Sequence, residues 1–471
     1  MGGDPGAIDR LRAIFDRPNR EQQYEPIEED NSDGDEYVRR RPILDAPDDD
    51  GEAEGFSWFE YSIFLLLGVA MLWAWNMFLA AAPYFQTRFA DNQNILDHFQ
   101  PAITSVACVT NLSSMFVLGQ LQAKASYQKR ILCALVLNLV VFALLTISVN
   151  YFRGISATAY FVFTLIMVFS TSVATGLCQN GAFAFASSFG RPEYIQAIMT
   201  GQAVAGVLPS VAQILAVLSV PVPDHWADAE EEQRVADTEN LTSATVYFLT
   251  ATGISMLTLI AVVPLIRKHN RILESNTLMP ATSVQGAEQA KRKVVGMWTL
   301  YKKLHWLAAS VFLCFLITMF MPVFTQKVLS NIPEDEAPRL FRPSAFIPLG
   351  FLIWNLGDLG GRLMTLGPLH ARNRPVLLFI ISILRGGFLP LYLLCNIMGK
   401  GAVIQSDAFY LIFVQFLFGL SNGWLGSCCM MAAGDYVLDS EREASGGFMA
   451  INLVAGLTAG SLLSFTAAGV S

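Results

Sequence analysis

Asp358 and Arg362 stand four residues apart inside Phe346 to Leu366, a stretch otherwise apolar and long enough to cross a bilayer as a helix. Ionisable groups at that depth are costly, so they persist where they pair, face a wet cavity and handle a substrate. The four-residue spacing sets both on one helix face. A carboxylate accepts from vicinal hydroxyls and an adjacent guanidinium donates to oxygens, so the couple suits a neutral polyhydroxylated molecule such as a ribose. The plainer alternative is a salt bridge that only ties helices together. Gly357 and Gly361 add a GxxxG step through which another helix or a ligand can approach closely.

Other polar groups sit where apolar residues would be expected. Trp75-Asn76 places an aromatic plane beside a two-way hydrogen-bonding amide, a fit to a base with a sugar; equally, Trp75 packs and Asn76 bonds a neighbouring helix. Gln179-Asn180-Gly181 supplies two amides, which read donor and acceptor patterns on a planar heterocycle without selecting by charge. Successive helix residues point about 100° apart, so one amide faces inward and the other bonds within the bundle, with either assignment open. Arg385, in the middle of another apolar stretch, needs a carboxylate, carbonyl or water partner and reads as structural or gating.

These residues need a membrane scaffold to position them. Of 471 residues, 53% are hydrophobic and 15% charged, too apolar a balance for a water-soluble domain, so the chain reads as an all-α polytopic membrane protein. The net charge of −8 misleads: residues 1–55 hold 17 acidic and 7 basic residues, and removing them from 39 and 31 leaves 22 and 24, about +2. That Pro-rich, acidic segment is expected to be a disordered cytosolic tail, neither signal nor transit peptide.

Apolar windows mark eleven spans, from 61–85 through 346–367 and 375–397 to 446–469. A basic cytosolic loop, 267–305, divides them into an N-terminal half, 56–266, of six helices and a C-terminal half, 306–471, of five. Arg39-Arg40-Arg41 before the first span, Lys124, Lys129 and Arg130 after the second, and the Lys/Arg run of that loop put the N-terminus in the cytosol and the C-terminus on the lumenal or extracellular side. Asn240-Leu241-Thr242, a glycosylation sequon in the acidic 221–243 loop, falls on the external side, whereas Asn111-Leu112-Ser113 lies within a span and is expected to be inert. Pro83, Pro209, Pro322, Pro348 and Pro390 are placed to kink spans, and the Gly419/Gly423 and Gly456/Gly460 steps indicate close helix packing. The cysteines fall in apolar stretches and the histidines at loops or span edges, without zinc-like spacing, so no disulfide framework and no metal is expected.

In chain order, Trp75-Asn76 with Tyr84-Phe85, Met199-Thr200-Gly201-Gln202 with Gly206, Phe351 and Asn355 leading to Asp358, Gly361 and Arg362, and Arg385 with Pro390 and Cys395-Asn396 resemble the equilibrative nucleoside transporter family, across residues 60–471. The resemblance implies eleven helices in a major-facilitator-like six-plus-five arrangement around a central cavity, with alternating access. It implies purine and pyrimidine nucleosides as cargo and the lipid bilayer as surroundings, with no cofactor and no nucleic acid as partner. By the same resemblance Asp358 and Arg362 bind the ribose, Trp75 and Asn76 line the pocket, and an amide of the fourth span meets the base. Side-chain identity favours Gln179 for that amide, and an ungapped count back from Gly201 favours Asn180. Asn355 is grouped with Arg385 as gating or structural. Ala74 and Leu359 depart from the family's frequent proline before Trp-Asn and tryptophan after the Asp. The acidic tail and the segment from Trp73 to Phe78 are similar to fungal vacuolar members, which points to the vacuolar membrane, with the plasma membrane as the other address.

A carboxylate beside a guanidinium keeps its charge and makes a poor proton carrier, so facilitated diffusion is expected, with proton symport through Asp358 or Glu60 as the alternative. A facilitator for other polar organic solutes is a second rival. A third is an intramembrane aspartyl protease built on Gly357-Asp358 and Gly434-Asp435-Tyr436, whose signature fails because Asn355-Leu356 precede Gly357. The expectation is a transporter and not an enzyme.

Overall fold

Apolar segments of this length satisfy their backbone groups in lipid only as helices or closed barrels, and the computed structural model is helical nearly throughout. The structure describes residues 56–121, 126–219, 229–278, 295–333, 336–367 and 371–468. The principal helices are α1 (Trp58–Ala80), α2 (Gln93–Gln120), α3 (Tyr127–Tyr151), α4 (Ala157–Ser188), α5 (Pro192–Ser219), α6 (Ala229–Leu278), α7 (Met297–Thr318), α8 (Pro343–Met364), α9 (Pro375–Leu384), α10 (Leu417–Ala432) and α11 (Arg442–Ala468). Their starts are chemically marked. Asn92, Ser126 and Ser156 accept the free N–H groups of Ile95, Lys129 and Ala159, and Pro343 and Pro375 open α8 and α9 where a missing N–H costs nothing.

Among the described residues, ten helical stretches are long and apolar enough to cross a membrane. The remaining expected span is α8, 22 residues long, whose hydropathy is lowered by Asn355, Asp358, Arg362 and its glycines. The helix carrying the charged couple is therefore the expected span without a sufficiently apolar window. Two expected loops are shorter than their polarity suggested. α6 runs 50 residues from Ala229, so most of the 221–243 segment is helical, and α7 starts at Met297, so the basic 267–305 segment is helical at both described ends. Ala, Glu, Arg and Leu are strong helix formers, and polarity does not stop a helix already nucleated by packing. Residues 1–55, expected to be an acidic tail, and 279–294 of the basic segment lie outside the described residues. Pro83, Pro322 and Pro390 fall in short separate helices, Ala82–Phe89, Met321–Thr325 and Phe388–Tyr392, whereas Pro209 and Pro348 stay inside α5 and α8.

α1 packs along α5, α3 along α4 and α6, α7 along α9 and α11, and α8 along α10; between the first six helices and the last five, α5 meets α8 and α4 meets α11. Glycine sets the α8–α10 crossing. A Cβ added at Gly357 would lie 2.2 Å from Phe416 O, and one at Gly423 would lie 1.8 Å from Asp358 O, so only hydrogen fits between these backbones. The GxxxG steps of the two helices thus face each other, while Gly456 and Gly460 abut Phe312 and Leu316 of α7.

Candidate substrate-binding site

Because α8 and α10 touch backbone to backbone, Asn422, between Gly419 and Gly423, reaches Asp358. Asp358 Oδ2 accepts from Arg362 Nε at 2.8 Å and Oδ1 accepts from Asn422 Nδ2 at 2.7 Å. Asp358 is 3% and Arg362 4% exposed. Arg362 Nη1 donates to the carbonyl of Met199 on α5, and the Arg362 carbonyl accepts from Gln196 Nε2 at 3.0 Å. The couple therefore belongs to α8 but is bonded to α5, across the boundary between the first six helices and the last five. Taking two ions out of water offsets much of their attraction, so a buried pair of this kind depends on those additional bonds.

A second buried cation lies behind it. Arg385, 2% exposed, donates from Nη1 to Cys314 O at 2.7 Å, from Nε to Ser421 Oγ at 3.0 Å and from Nη2 to Thr318 Oγ1 at 3.2 Å, with its guanidinium 4.9 Å from the centre of the Phe418 ring. Its partners are thus a carbonyl, the Cys314 thiol and hydroxyls, with an aromatic face. Thr318 Oγ1 shares its proton between Cys314 O at 2.8 Å and Asn422 Oδ1 at 2.6 Å, and Cys314 Sγ also donates to Asn422 Oδ1 at 3.3 Å.

Elsewhere the polar residues expected to contribute are engaged inside the bundle. Asn76 Nδ2 donates to Ala205 O of α5 at 2.7 Å, and Trp75 packs on the aromatic cluster around Phe78 and Phe248. One turn on, Asn355 Nδ2 of α8 donates to Ser210 Oγ of α5 at 3.2 Å, and a Cβ on Gly206 would lie 2.5 Å from Asn355 Oδ1. The two amides of α4 separate as helix geometry requires. Asn180 Oδ1 accepts from Arg130, which also donates to Leu118 O and Leu121 O at the end of α2, whereas Gln179 Oε1 faces Asn111 Nδ2 at 3.4 Å. Asn111 Oδ1 is buried and unpartnered. Among the described residues, no hydrogen bond joins Trp75, Asn76, Gln179 or Asn180 to the Asp358 couple.

Glu60 and Asp435, the other carboxylates named from the sequence, are separately paired. Glu60 accepts from Tyr194 OH at 2.5 Å and Lys268 Nζ at 2.8 Å, and Asp435 accepts from Arg372 Nη2 at 2.7 Å and Nε at 3.0 Å. Asp358 and Asp435, the two groups a protease would need side by side, are each bonded to a different arginine. Asn240 Nδ2 donates to Thr87 Oγ1 at 3.3 Å, and no group of three or more His, Cys, Asp or Glu side chains converges among the described residues. Sequence reasoning passed over Asn422 and Gln196. The available signal was a polar residue inside an apolar span: Asn422 between two glycines, and Gln196 just ahead of Met199-Thr200-Gly201-Gln202.

Residues 164–468 match the family described as nucleoside transporter. The chain is 27% identical over 457 residues to the nucleoside transporter FUN26 of Saccharomyces cerevisiae, covering 86% of this chain and 83% of that one. It is 28% identical over 459 residues to equilibrative nucleoside transporter 1 of Homo sapiens, covering 86% and 95%. Among solved structures it is similar to the major facilitator superfamily transporter FucP in the outward conformation, with a TM-score of 0.52 at 14% identity over 88% of this chain and 96% of that one. The proton:xylose symporter XylE gives a TM-score of 0.53 at 12% identity over 87% and 86%. The fold is thus that of the major facilitators, and the family match, which takes in α5, α8 and α10 with their shared ion pair, makes this chain a member of the nucleoside transporter family.

Proposed function

We propose that this protein moves purine and pyrimidine nucleosides across a membrane by facilitated diffusion, with residues 56–266 and 306–471 rocking against each other and Asp358 and Arg362 holding the ribose. One observation carries the reading: a buried ion pair of α8 bonded to α5 of the other half. With one protein donor on each oxygen, Asp358 keeps acceptor capacity on both for sugar hydroxyls, and Arg362 keeps donors beyond those given to Asp358 and Met199. Gln179 is favoured over Asn180 for the base because Asn180 is committed to Arg130. Trp75 and Asn76 form the adjoining wall, Asn355 with Ser210 a closing contact, and Arg385 the support behind the couple. The equilibrative relatives support movement without an ion gradient. In this reading the N-terminus is cytosolic, the C-terminus and a glycosylated Asn240 lie on the opposite side, and the membrane is vacuolar, with the plasma membrane as alternative.

Uptake of radiolabelled uridine into liposomes holding the full chain tests this. Uptake should stop at equal internal and external concentrations, be blocked by excess adenosine but not by glucose, and ignore a pH step. Accumulation above the external concentration under an inward proton gradient would replace facilitated diffusion by symport, and block by glucose would indicate a general solute carrier.

A further inference from the structure

We propose that Asn422 is a positioning residue for the Asp358 carboxylate and that, with Thr318 behind it, it makes the site selective for a vicinal diol. The inference rests on the nucleoside reading above. An aspartate carboxylate rotates softly about its last torsion, and Arg362, on the same helix, anchors only Oδ2. Asn422 anchors Oδ1 from α10 and so fixes the carboxylate plane. What remains is acceptor capacity on each of two oxygens held in a set plane, which matches two adjacent hydroxyls.

The orientation of the Asn422 amide follows from the polarity of the chain that holds it. Arg385 only donates and an ionised Asp358 only accepts. Between them Thr318 Oγ1 accepts from Arg385 Nη2 and shares its proton between Cys314 O and Asn422 Oδ1, which also accepts from Cys314 Sγ. The NH2 end of Asn422 is left facing Asp358. A flipped amide would set its oxygen against a carboxylate, which offers no proton. The flanking glycines allow the short reach, since a Cβ at Gly423 would overlap Asp358 O.

The experiment compares uridine with 2′,3′-dideoxyuridine in liposomes carrying full-length wild type, Asn422→Ala, Thr318→Val or Thr318→Ser. Asn422→Ala should raise the uridine KM by about tenfold, as for loss of one hydrogen bond to a charged group, and leave the dideoxyuridine KM unchanged. Thr318→Val should shift the ratio in the same direction but less, and Thr318→Ser should restore it, which a packing defect would not do. Equal KM changes for both substrates in Asn422→Ala, or an unaltered preference in Thr318→Val, overturns the positioning role while leaving the transport reading intact. If Asn422→Ala does not reach the membrane, the Thr318 pair decides alone. Wild-type liposomes that move neither compound overturn the transport reading and this one together.

Discussion

Asp358 and Arg362 fail differently when altered, because each is bonded to different neighbours. Asp358→Asn leaves the Arg362 guanidinium buried without its counter-ion, a change that costs about 3–5 kcal/mol when one partner of a buried pair is lost. It should lower the melting temperature in detergent and abolish uridine uptake. Arg362→Lys keeps the charge but not the planar fork that serves Asp358 and the Met199 carbonyl at once, so its melting temperature should fall less while uptake is still lost. A variant of either kind that transports like wild type would show that the couple is only a brace. The couple itself was legible in the sequence, since two charges four residues apart in an apolar stretch leave few readings. Asn422 was not, because its partner lies 64 residues away and helical periodicity reports faces, not partners across helices. For the same reason sequence did not show that Arg130 bonds Asn180 and that Asn111 faces Gln179.

At the level of helices, the α8–α10 crossing makes a sharp contrast between glycines. Gly423→Ala would force a methyl to within 1.8 Å of Asp358 O and push the helices apart, whereas Gly387, in the turn after α9, has nothing within 4 Å. Overpacking of this sort costs about 1–3 kcal/mol. Gly423→Ala should therefore destabilise the protein and lose uridine uptake, and Gly387→Ala should do neither, as read by thermal unfolding and uptake side by side. Apolar windows located the spans well, because lipid leaves the backbone no alternative to a helix. They misjudged where helices end. α6 continues for about 75 Å, well past the thickness of a bilayer, since neither charge nor polarity terminates a helix as Gly or Pro does. α8 fell below the others in hydropathy because the chemistry it carries is polar.

Across the whole molecule, α5 is the strip on which α8 closes: Ser210 meets Asn355, Met199 meets Arg362, and Gln196 meets the Arg362 carbonyl. Gln196→Leu keeps the volume and removes the bond to the Arg362 carbonyl together with those to Tyr61 and Thr200, so the end of the bundle near Thr365 should open more often. In a Cys133→Ser background, a cysteine placed at Thr365, 2% exposed, should react several-fold faster with an impermeant maleimide when Gln196 is leucine. An unchanged rate would mean that Gln196 does not hold this end shut. The proposed orientation has its own check: glycosidase treatment should speed the gel migration of wild type expressed in a eukaryotic host and leave Asn240→Gln unaffected. The surfaces by which the first six helices and the last five meet were not visible in sequence, because contacts such as Gly206 with Asn355 join residues far apart in the chain.

The bond from Arg362 to the Met199 carbonyl has a kinetic corollary. In the proposed cycle, an unloaded carrier that reorients must strip the Arg362 guanidinium of the Met199 carbonyl and give it nothing in exchange, while a loaded one would replace that acceptor with an oxygen of its passenger. The return journey should then be slower empty than full, so uridine preloaded on one side of the liposome should accelerate influx from the other.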